Sequence, residues 1–230
     1  MKPGRVHVKQ VDAGRELIVD GTFASFYQPG SAVTGSVWDA IVAPLLALPA
    51  RRRRRLLMLG LGGGSAARIA RAIAPSCHIV GVEFDAAVVS AAREHLDLDS
   101  LDVEVVVGDA LGFLREDARH YDAIFEDVFV GRGDDVHKPG WLPEPGLGLA
   151  KKRLAPGGIL VSNTLDESPV VCHALRAMFP DVVSIDVEDY DNRILAAGRK
   201  LGSAAALRKA IASDATLRET LPRLKLRTVC

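Results

Sequence analysis

Short apolar runs alternate with helical patterns through the middle of the chain. An apolar run at 56–59 precedes a helical pattern at 65–74, and a second at 78–82 precedes another helical pattern at 86–96. Three later runs continue the series at 103–107, 121–125 and 158–161, with helical patterns between them at 110–116 and 146–154. Short apolar runs separated by helices are typical of a parallel sheet that is covered on both faces. The pattern predicts an α/β fold with a doubly wound sheet.

The two flanking regions have a different pattern. Loose alternation over 6–19 predicts a small β-hairpin, and a stretch bearing glycine and serine over 21–36 leads into an apolar helix over 37–48. Towards the other end we expect a helix at 169–179, an antiparallel strand pair at 182–187 and 193–197, and a polar-faced helix at 203–221. We divide the chain into an N-terminal hairpin and lid segment, 1–36, and a Rossmann-like domain, 37–230.

Composition limits the classes of partner and location. Lysine plus arginine equals aspartate plus glutamate at 29 each, which gives no sign of a nucleic-acid partner, and the run at 51–55 is interpreted as a charged linker. Cys77, Cys172 and Cys230 are far apart and odd in number, as expected for reduced cytosolic thiols. We expect a cytoplasmic protein with no export signal, membrane anchor or metal site.

A glycine-rich turn follows the first strong strand and runs directly into a helix. Its residues are Gly60, Leu61, Gly62, Gly63 and Gly64. Glycines let a backbone bend sharply and approach a ligand closely, and the helix that follows offers unpaired amide groups. The second strand ends in Glu83 and Phe84, about 20 residues beyond the turn, where a carboxylate can accept both hydroxyls of a ribose.

The ends of the third and fourth strands carry further carboxylates. The third ends in Gly108, Asp109 and Ala110, and this Asp can accept from an adenine amino group. Such an Asp is typical of folds that bind adenosylmethionine. The fourth strand runs into Glu126 and Asp127. Adjacent strand residues face opposite ways, so only one of these two carboxylates can look into the cleft.

The order of these motifs resembles the spermidine synthase family of polyamine aminopropyltransferases and its relatives that transfer methyl groups. The pieces that carry the resemblance lie at 17–21, 60–64, 82–85, 108–110, 121–124 and 154–158. It implies the class I methyltransferase fold, with a mostly parallel seven-stranded sheet and a small N-terminal hairpin. It also implies an adenosylmethionine-type cofactor bound at residues 60–64, 83–84 and 108–110 and at Asp127, and a homodimer formed through the hairpin.

The sequence departs from the aminopropyltransferase pattern where those enzymes handle the amine. Gly63 stands in place of an Asp in the glycine turn, Val37-Trp38-Asp39 replaces a Tyr-His pair, and the Asp-Ser-x-Asp motif becomes Asp127-Val128-Phe129-Val130. With fewer carboxylates to neutralise a polyamine, S-adenosylmethionine-dependent methyl transfer to a small-molecule or protein amine is favoured. The alternatives are aminopropyl transfer from decarboxylated S-adenosylmethionine, a non-catalytic binding module on the same fold and, more remotely, an NAD oxidoreductase.

Asp127 is the candidate catalytic base or amine-orienting residue, because it ends the fourth strand beside the expected sulfonium. Glu126 is its competitor. Six residues are candidates for contact with the substrate: Tyr27, Gln28, Trp38, Asp39, Phe129 and Trp141. Asp134 or Asp135, in the segment before Trp141, could attract a cation.

Overall fold

The computed structural model describes residues 5–133 and 135–229. Its strands, in chain order, are β1 (Val6–Val11), β2 (Gly14–Val19), β3 (Thr22–Tyr27), β4 (Arg55–Leu59), β5 (His78–Glu83), β6 (Val103–Val107), β7 (Tyr121–Glu126), β8 (Val130–Arg132), β9 (Asp135–His137), β10 (Leu154–Thr164), β11 (Asp181–Val187), β12 (Arg193–Gly198) and β13 (Leu224–Thr228). The helices are α1 (Val37–Val42), α2 (Ser65–Ile73), α3 (Ala86–His95), α4 (Ala110–Glu116), α5 (Gly146–Lys152), α6 (Ser168–Met178) and α7 (Ala204–Ser213).

Eight strands form the central sheet, in the order β13-β11-β12-β10-β7-β4-β5-β6. The five strands from β10 to β6 are parallel, and β12 pairs antiparallel with both β10 and β11. The strand order reverses between β4 and β7, and ligands of open α/β sheets bind at such a switch point, outside the carboxyl ends of the strands. The α/β Rossmann-like methyltransferase fold predicted from the sequence is confirmed.

Two apolar cores cover the two faces of this sheet. One core packs α1, α2, α3 and α7 against the sheet, and the other packs α4, α5 and α6. Strand β4 serves both, because Leu56 and Met58 face the first core while Leu57 and Leu59 face the second. A strand that is buried on both faces has a continuous apolar sequence rather than an alternating one. This is why β4 is a clear signal in the sequence.

The N-terminal appendage is a sheet of three antiparallel strands, β1-β2-β3, where the sequence predicted a two-stranded hairpin. Its Leu17 is fully buried with Val88 and Leu96, so it packs on α3 and the residues after it. Strand β3 reaches the glycine turn, where Ser65 Oγ bonds both the N–H and the carbonyl of Phe26, each at 2.8 Å. The appendage thus forms one wall beside the turn.

The eighth strand, β13, is an addition to the predicted seven. The helix expected at 203–221 ends at Ser213, because the Asp214 carboxylate accepts from the N–H groups of Thr216 and Leu217 and starts a new turn. Likewise the helix expected at 37–48 is α-helical only over α1 and continues as a 3-10 helix over Ala43–Ala47, since Pro44 cannot donate to the helical ladder. Strands β8 and β9, which the sequence analysis does not predict, pair as a separate antiparallel ribbon.

Arg223 ties the far edge of the sheet to the segment before α1. Its guanidinium donates to the carbonyl of Gly35, to the carbonyl of Glu188 at 3.1 Å and to the carboxylate of Asp189 at 3.1 Å. It also lies close enough to Asp39 to interact with it electrostatically. The end of the fold therefore holds the lid segment in place. No helix in the described ranges is long and apolar enough to cross a membrane.

Candidate active site

The glycine turn lies between the ends of β5 and β7. The N–H groups of Gly60 and Leu61 both donate to the carbonyl of Val82, at 3.0 and 3.1 Å. Gly60 has a φ of +83°, and a Cβ there would overlap the carbonyl oxygen of Asp127. Only glycine fits such a position. The turn is therefore held tightly against the end of β7, where the candidate base lies.

The next two glycines face different surroundings. Gly62 donates its N–H to Glu83 Oε2 at 2.9 Å, which places the Glu83 carboxylate at the turn. Gly63 donates to Ser25 Oγ at 2.6 Å, and a Cβ at Gly63 would lie 2.6 Å from a methyl carbon of Leu96 and 2.7 Å from the Cβ of Ser25. Gly63 thus packs against β3 and the end of α3. The turn has no room for a side chain at the position where the resembling enzymes carry an Asp.

The exposed surface beside Glu83, at the ends of β5 and β6, carries apolar side chains and is here called the slot. Glu83 pairs with Val107 in register, and the next residue, Phe84, is 79 % exposed, while Val107 is 53 % exposed. A Cβ at Gly108 would meet no atom within 4 Å, so space is open at the end of β6. Burial raises the pKa of the Glu83 carboxyl, and the N–H groups of Asp85 and Gly62 oppose this shift.

Asp109 closes the slot on the β6 side. It is exposed and caps α4, since its Oδ2 accepts from the N–H of Gly112 at 2.8 Å. This capping bond uses one carboxylate oxygen and leaves the other available. Two other residues assigned to the cofactor point elsewhere: the side chains of Leu61 and Ala110 are buried, one in each core. Such residues can reach a ligand only through their backbone.

Asp127 is partly buried at the end of β7, and its surroundings differ from those of Glu83. Its Oδ1 accepts from Asn163 Nδ2 at 2.7 Å, and Asn163 Oδ1 accepts in turn from Asn192 Nδ2 at 3.0 Å. Burial raises the pKa of Asp127 to about 6, while the charge of Lys138 and hydrogen bonds from Asn163 and Trp38 lower it. A carboxyl with such a pKa changes its charge near neutral pH, as general bases often do.

Glu126 lies on the other face of β7 in a buried polar cluster. Its Oε1 accepts from Lys138 Nζ at 2.7 Å and from the N–H of Val128 at 2.8 Å, and its Oε2 accepts from Ser162 Oγ at 2.5 Å. The side chains of Glu126 and Lys138 are 1 % and 2 % exposed. Glu126 is thus paired inside the protein, whereas Asp127 is the less buried of the two carboxylates and bonds Asn163.

The N-terminal substrate candidates occupy different environments. Tyr27 stacks under the guanidinium of Arg68, 4.5 Å from its ring centroid, and Gln28 is exposed. Trp38 is buried edge-to-face on Phe23, with its indole directed to Asp127. Asp39 is 1 % exposed and accepts from the N–H and hydroxyl of Thr34 and the N–H of Gly35, at 2.8 to 2.9 Å. It organises the lid backbone, whereas Trp38 approaches the candidate base.

The candidates after β7 are also engaged within the chain. Lys138 Nζ lies 3.9 Å above the ring of Phe129. Trp141 packs against Gly146 at the start of α5 and lies at the margin of the second core. Asp135 belongs to β9 and is exposed, whereas Asp134 lies outside the described residues. Phe129 and Trp141 therefore shape the segment that borders the site.

The sequence analysis did not identify the residues that hold Glu126, Asp127 and Gly63 in position. Lys138 and Ser162 complete the Glu126 cluster, Asn163 and Asn192 orient Asp127, and Ser25 fills the space at Gly63. One signal was present: two consecutive carboxylates at the end of a buried strand imply that the inward one needs a cation, since an isolated buried charge is costly. The identity of that cation follows only from the fold.

Comparison with known proteins finds similarity to transferases. A methyltransferase domain family matches residues 56–138. A probable polyamine aminopropyl transferase of Bifidobacterium longum is 31% identical over 133 residues, which are 57% of this chain and 28% of that protein. An eEF1A lysine and N-terminal methyltransferase homolog of Drosophila melanogaster is 28% identical over 151 residues, 61% of this chain and 22% of that protein. The chain thus aligns with less than a third of either relative.

Solved structures give the same picture of the fold. A probable spermidine synthase from Corynebacterium glutamicum superposes with a TM-score of 0.77 at 21% identity, covering 96% of this chain and 86% of that one. Human methyltransferase-like protein 13 in complex with SAH superposes with a TM-score of 0.66 at 25% identity, covering 80% and 91%. Proteins of both transfer chemistries therefore share this architecture.

Proposed function

We propose that this chain, which has the class I methyltransferase fold and resembles spermidine synthases, transfers the methyl group of S-adenosylmethionine to an amine. A transferase of the methyltransferase or aminopropyltransferase type is what its relatives and its fold indicate. The preference for methyl transfer is our proposal. It rests on the carboxylates of the site and on where each of them lies.

The slot at the ends of β5 and β6 fits an adenosine. Two exposed apolar side chains, Phe84 and Val107, border the open space at Gly108, and they suit the faces of an adenine ring. Glu83 and Asp109 flank this space with free acceptor capacity, which suits ribose hydroxyls and an exocyclic amino group. An adenosylmethionine-type cofactor is thus supported by the chemistry of the site as well as by the neighbours that hold SAH or SAM.

The packing around Gly63 is the observation that carries the preference for methyl transfer. The decarboxylated cofactor carries its ammonium group without the carboxylate that offsets this charge in S-adenosylmethionine, so it gains more from a protein carboxylate near the turn. Ser25 and Leu96 fill the space that a side chain at residue 63 would need, so no such carboxylate can be placed there without rearrangement. Similarity to polyamine aminopropyltransferases makes aminopropyl transfer the second candidate.

Asp127 is the residue of this chain that would act on the acceptor. The bound cofactor supplies an electrophilic methyl carbon and a neutral thioether leaving group. The Asp127 carboxylate accepts a hydrogen bond from the amine and takes its proton, and Asn163 holds the carboxylate in the required orientation. The partly buried site limits water, which strengthens this interaction. A small-molecule or protein amine remains our proposed acceptor, and the homodimer and the cytoplasmic location remain predictions.

Calorimetric titration tests the proposal. The purified chain is titrated in parallel with S-adenosylmethionine, decarboxylated S-adenosylmethionine, 5′-methylthioadenosine and NAD. We expect S-adenosylmethionine to bind more tightly than its decarboxylated form and NAD to bind least. Transfer of labelled methyl groups to a panel of amines then tests turnover.

Each other outcome points to a different function. Tighter binding of the decarboxylated form would favour aminopropyl transfer, and binding without turnover on any amine would favour a non-catalytic module. Failure of every adenosyl ligand to bind would overturn the proposal. Tight binding of NAD alone would indicate an oxidoreductase.

A further inference from the structure

The cluster around Glu126 and Lys138 is closed to outside ligands. The Glu126 carboxylate has three donors, Lys138 Nζ, Ser162 Oγ and the N–H of Val128, at 2.5 to 2.8 Å. It has almost no exposed surface. A buried carboxylate with such partners is fully satisfied and cannot serve a second cation without breaking this cluster.

Lys138 also has its hydrogen-bonding groups paired, and both its side-chain ammonium and its backbone N–H are held in place. Its ammonium donates to Glu126 and to the carbonyl of Val128, at 2.7 and 3.0 Å, and rests on the face of Phe129. Its backbone N–H donates to Glu167 Oε1 at 2.7 Å. A lysine that ordinarily extends into water is thus fixed in one position inside the protein. The Glu167 carboxylate is occupied by this amide and by that of Leu165.

The cluster bears on ligand binding because the Lys138 ammonium interacts with the Asp127 carboxyl. The ammonium binds groups of residues 126, 128 and 129, which surround Asp127 in the chain, and its charge acts on the Asp127 carboxyl. Cations and carboxylates in a partly buried site interact far more strongly than in water. The Asp127 carboxylate therefore already interacts with one protein cation before an acceptor approaches it.

A charge count then limits the acceptor. At the end of β7 the side chains of Glu126 and Asp127 carry two negative charges and the Lys138 ammonium carries one positive charge, so one negative charge remains there for a ligand. Glu167 is engaged by backbone amides, and the Glu83 carboxylate belongs to the proposed cofactor slot. A further carboxylate at Gly63 would have to displace Ser25 and Leu96. An acceptor with a second ammonium close to the reacting nitrogen would be repelled by Lys138 and would find no free carboxylate.

We propose that Lys138 is a specificity-determining residue, an internal cation that restricts the acceptor to compounds with a single ammonium group at the reacting end. This inference rests on the proposed amine-transfer function. It assigns the acceptor class, amines with one charge such as a monoamine or a single amino group of a peptide, and it excludes short diamines.

The test compares two amines of equal carbon number, n-butylamine and 1,4-diaminobutane. Their Kd values are measured by ligand-observed NMR with the full chain, with and without S-adenosylhomocysteine. We expect the wild-type protein to bind the monoamine at least as tightly as the diamine. In Lys138→Met the diamine should gain about tenfold relative to the monoamine, because an uncompensated carboxylate appears. Lys138→Arg, which keeps the charge, should keep the wild-type preference.

A double variant separates charge from cavity shape. Glu126→Gln combined with Lys138→Met restores the net charge of the wild type while removing the lysine side chain, so the monoamine preference should return. If Lys138→Met does not fold, Glu126→Gln alone replaces it, since glutamine retains an oxygen for Lys138. This variant should weaken the diamine about tenfold more than the monoamine, because no net negative charge remains.

Three results would overturn the inference: an unchanged amine preference in folded Lys138→Met, or in Glu126→Gln where it takes its place; a double variant that behaves like Lys138→Met; or a wild-type protein that prefers the diamine or binds neither amine. Loss of the proposed function has a different signature. It would appear as failure to bind adenosyl ligands, whereas the amine preference is also measured without one.

Discussion

The two halves of the rim above the sheet are built in opposite ways. On the side of β5 and β6, Glu83 is partly buried and Asp109 is exposed, each is bonded to backbone amides close by, and the Phe84 side chain is largely exposed. On the side of β7 and β10, Glu126 is sealed in a cluster with Lys138, and Asp127 is tied to side chains distant in sequence. The first half resembles a preformed slot, and the second resembles part of a protein core.

We infer that the β5 side provides affinity for the cofactor and that the β7 side provides selectivity for the acceptor. An open slot with accessible acceptors can hold an adenosyl group in any member of such a fold, because few contacts need to be exact. A buried, fully paired cluster has fixed charges and a fixed shape, so it can reject a ligand that differs by one ammonium. We therefore expect changes on the β7 side to alter the reaction, and changes on the β5 side to alter affinity for the cofactor.

The largest effect is expected for Asp127→Asn. Removing the proposed base should lower the rate of methyl transfer roughly 10²- to 10⁴-fold, the range found for positioned acid–base groups. Affinity for S-adenosylmethionine should be unchanged, as measured by calorimetry. Asp12→Asn, at an exposed acid in the turn between β1 and β2, is the control and should retain the activity. A rate that survives in Asp127→Asn would remove this residue from the chemistry.

The same base predicts a pH profile. The pKa of Asp127 is raised by burial to about 6, and the base must be ionised to accept a proton, so activity should rise through about pH 6 and level off above it. Asn163→Ala removes a hydrogen bond that lowers this pKa, so the rising limb should move to higher pH. A limb that stays in place in this variant would contradict the assignment.

The buried ion pair should dominate stability on the β7 side. Lys138→Met leaves Glu126 buried without its cation and should lower the free energy of unfolding by roughly 3–5 kcal/mol. The double variant Glu126→Gln, Lys138→Met should lose less, because no unpaired charge remains. Urea unfolding measures both. Lys9→Met, in the exposed Lys9–Glu16 pair, is the control and should cost at most about 1 kcal/mol. Equal losses for the single and double variants would show that the pair is not what matters.

On the β5 side, Glu83→Gln should weaken adenosyl ligands without altering acceptor choice. A hydrogen bond to a charged group contributes about 1.5–3 kcal/mol, so affinity should fall roughly ten- to a hundredfold. Glu104→Gln provides the comparison, because Glu104 lies on the neighbouring strand β6 but pairs with Arg119, away from the slot. If both variants bind the cofactor equally well, the slot has been misassigned.

The smallest effects are expected for two glycine-to-alanine substitutions, one in the glycine turn and one at the end of β6. Gly63→Ala places a Cβ against Leu96 and Ser25 and should cost roughly 1–3 kcal/mol of folding stability. Gly108→Ala meets no atom within 4 Å, so its stability should stay within about 0.5 kcal/mol of the wild type, while the methyl group narrows the slot and weakens ligand binding. Thermal melts and ligand titrations of both variants test this prediction. If the glycine turn instead contacts the ligand through Gly63, Gly63→Ala would weaken ligand binding more than Gly108→Ala does.

The sequence predicted the parts of the fold that have local signals. Strand β6 and helix α4 have the expected bounds, because a β-branched run and a helical pattern each specify their own conformation. Edge elements escaped prediction: β13 has only Leu224 and Leu226 to mark it, and its pairing with β11 is decided by the sheet it joins.

The candidate site likewise contains residues that could be located from the sequence and contacts that could not. Glu83 and Asp109 could be located because each follows a recognisable strand and their roles depend on position at the sheet edge. The pairing of Glu126 with Lys138 could not be predicted. The chain between β7 and this lysine forms the short β8–β9 ribbon and irregular segments, and neither has a periodic sequence pattern. Asn192 approaches Asn163 only because β12 returns beside β10. Contacts of this kind are properties of the folded topology.

The tie made by Arg223 also makes the edge of the sheet a sensor of the site. Arg223 holds Gly35, the Gly35 amide is bonded to Asp39, and Asp39 belongs to the same helix as Trp38, whose indole interacts with Asp127. A ligand that shifts Trp38 must strain this series of contacts, and by thermodynamic reciprocity any change at the edge must alter affinity at the base. We therefore expect the fluorescence of Trp38 to respond both to an acceptor that binds at Asp127 and to unfolding of the sheet edge.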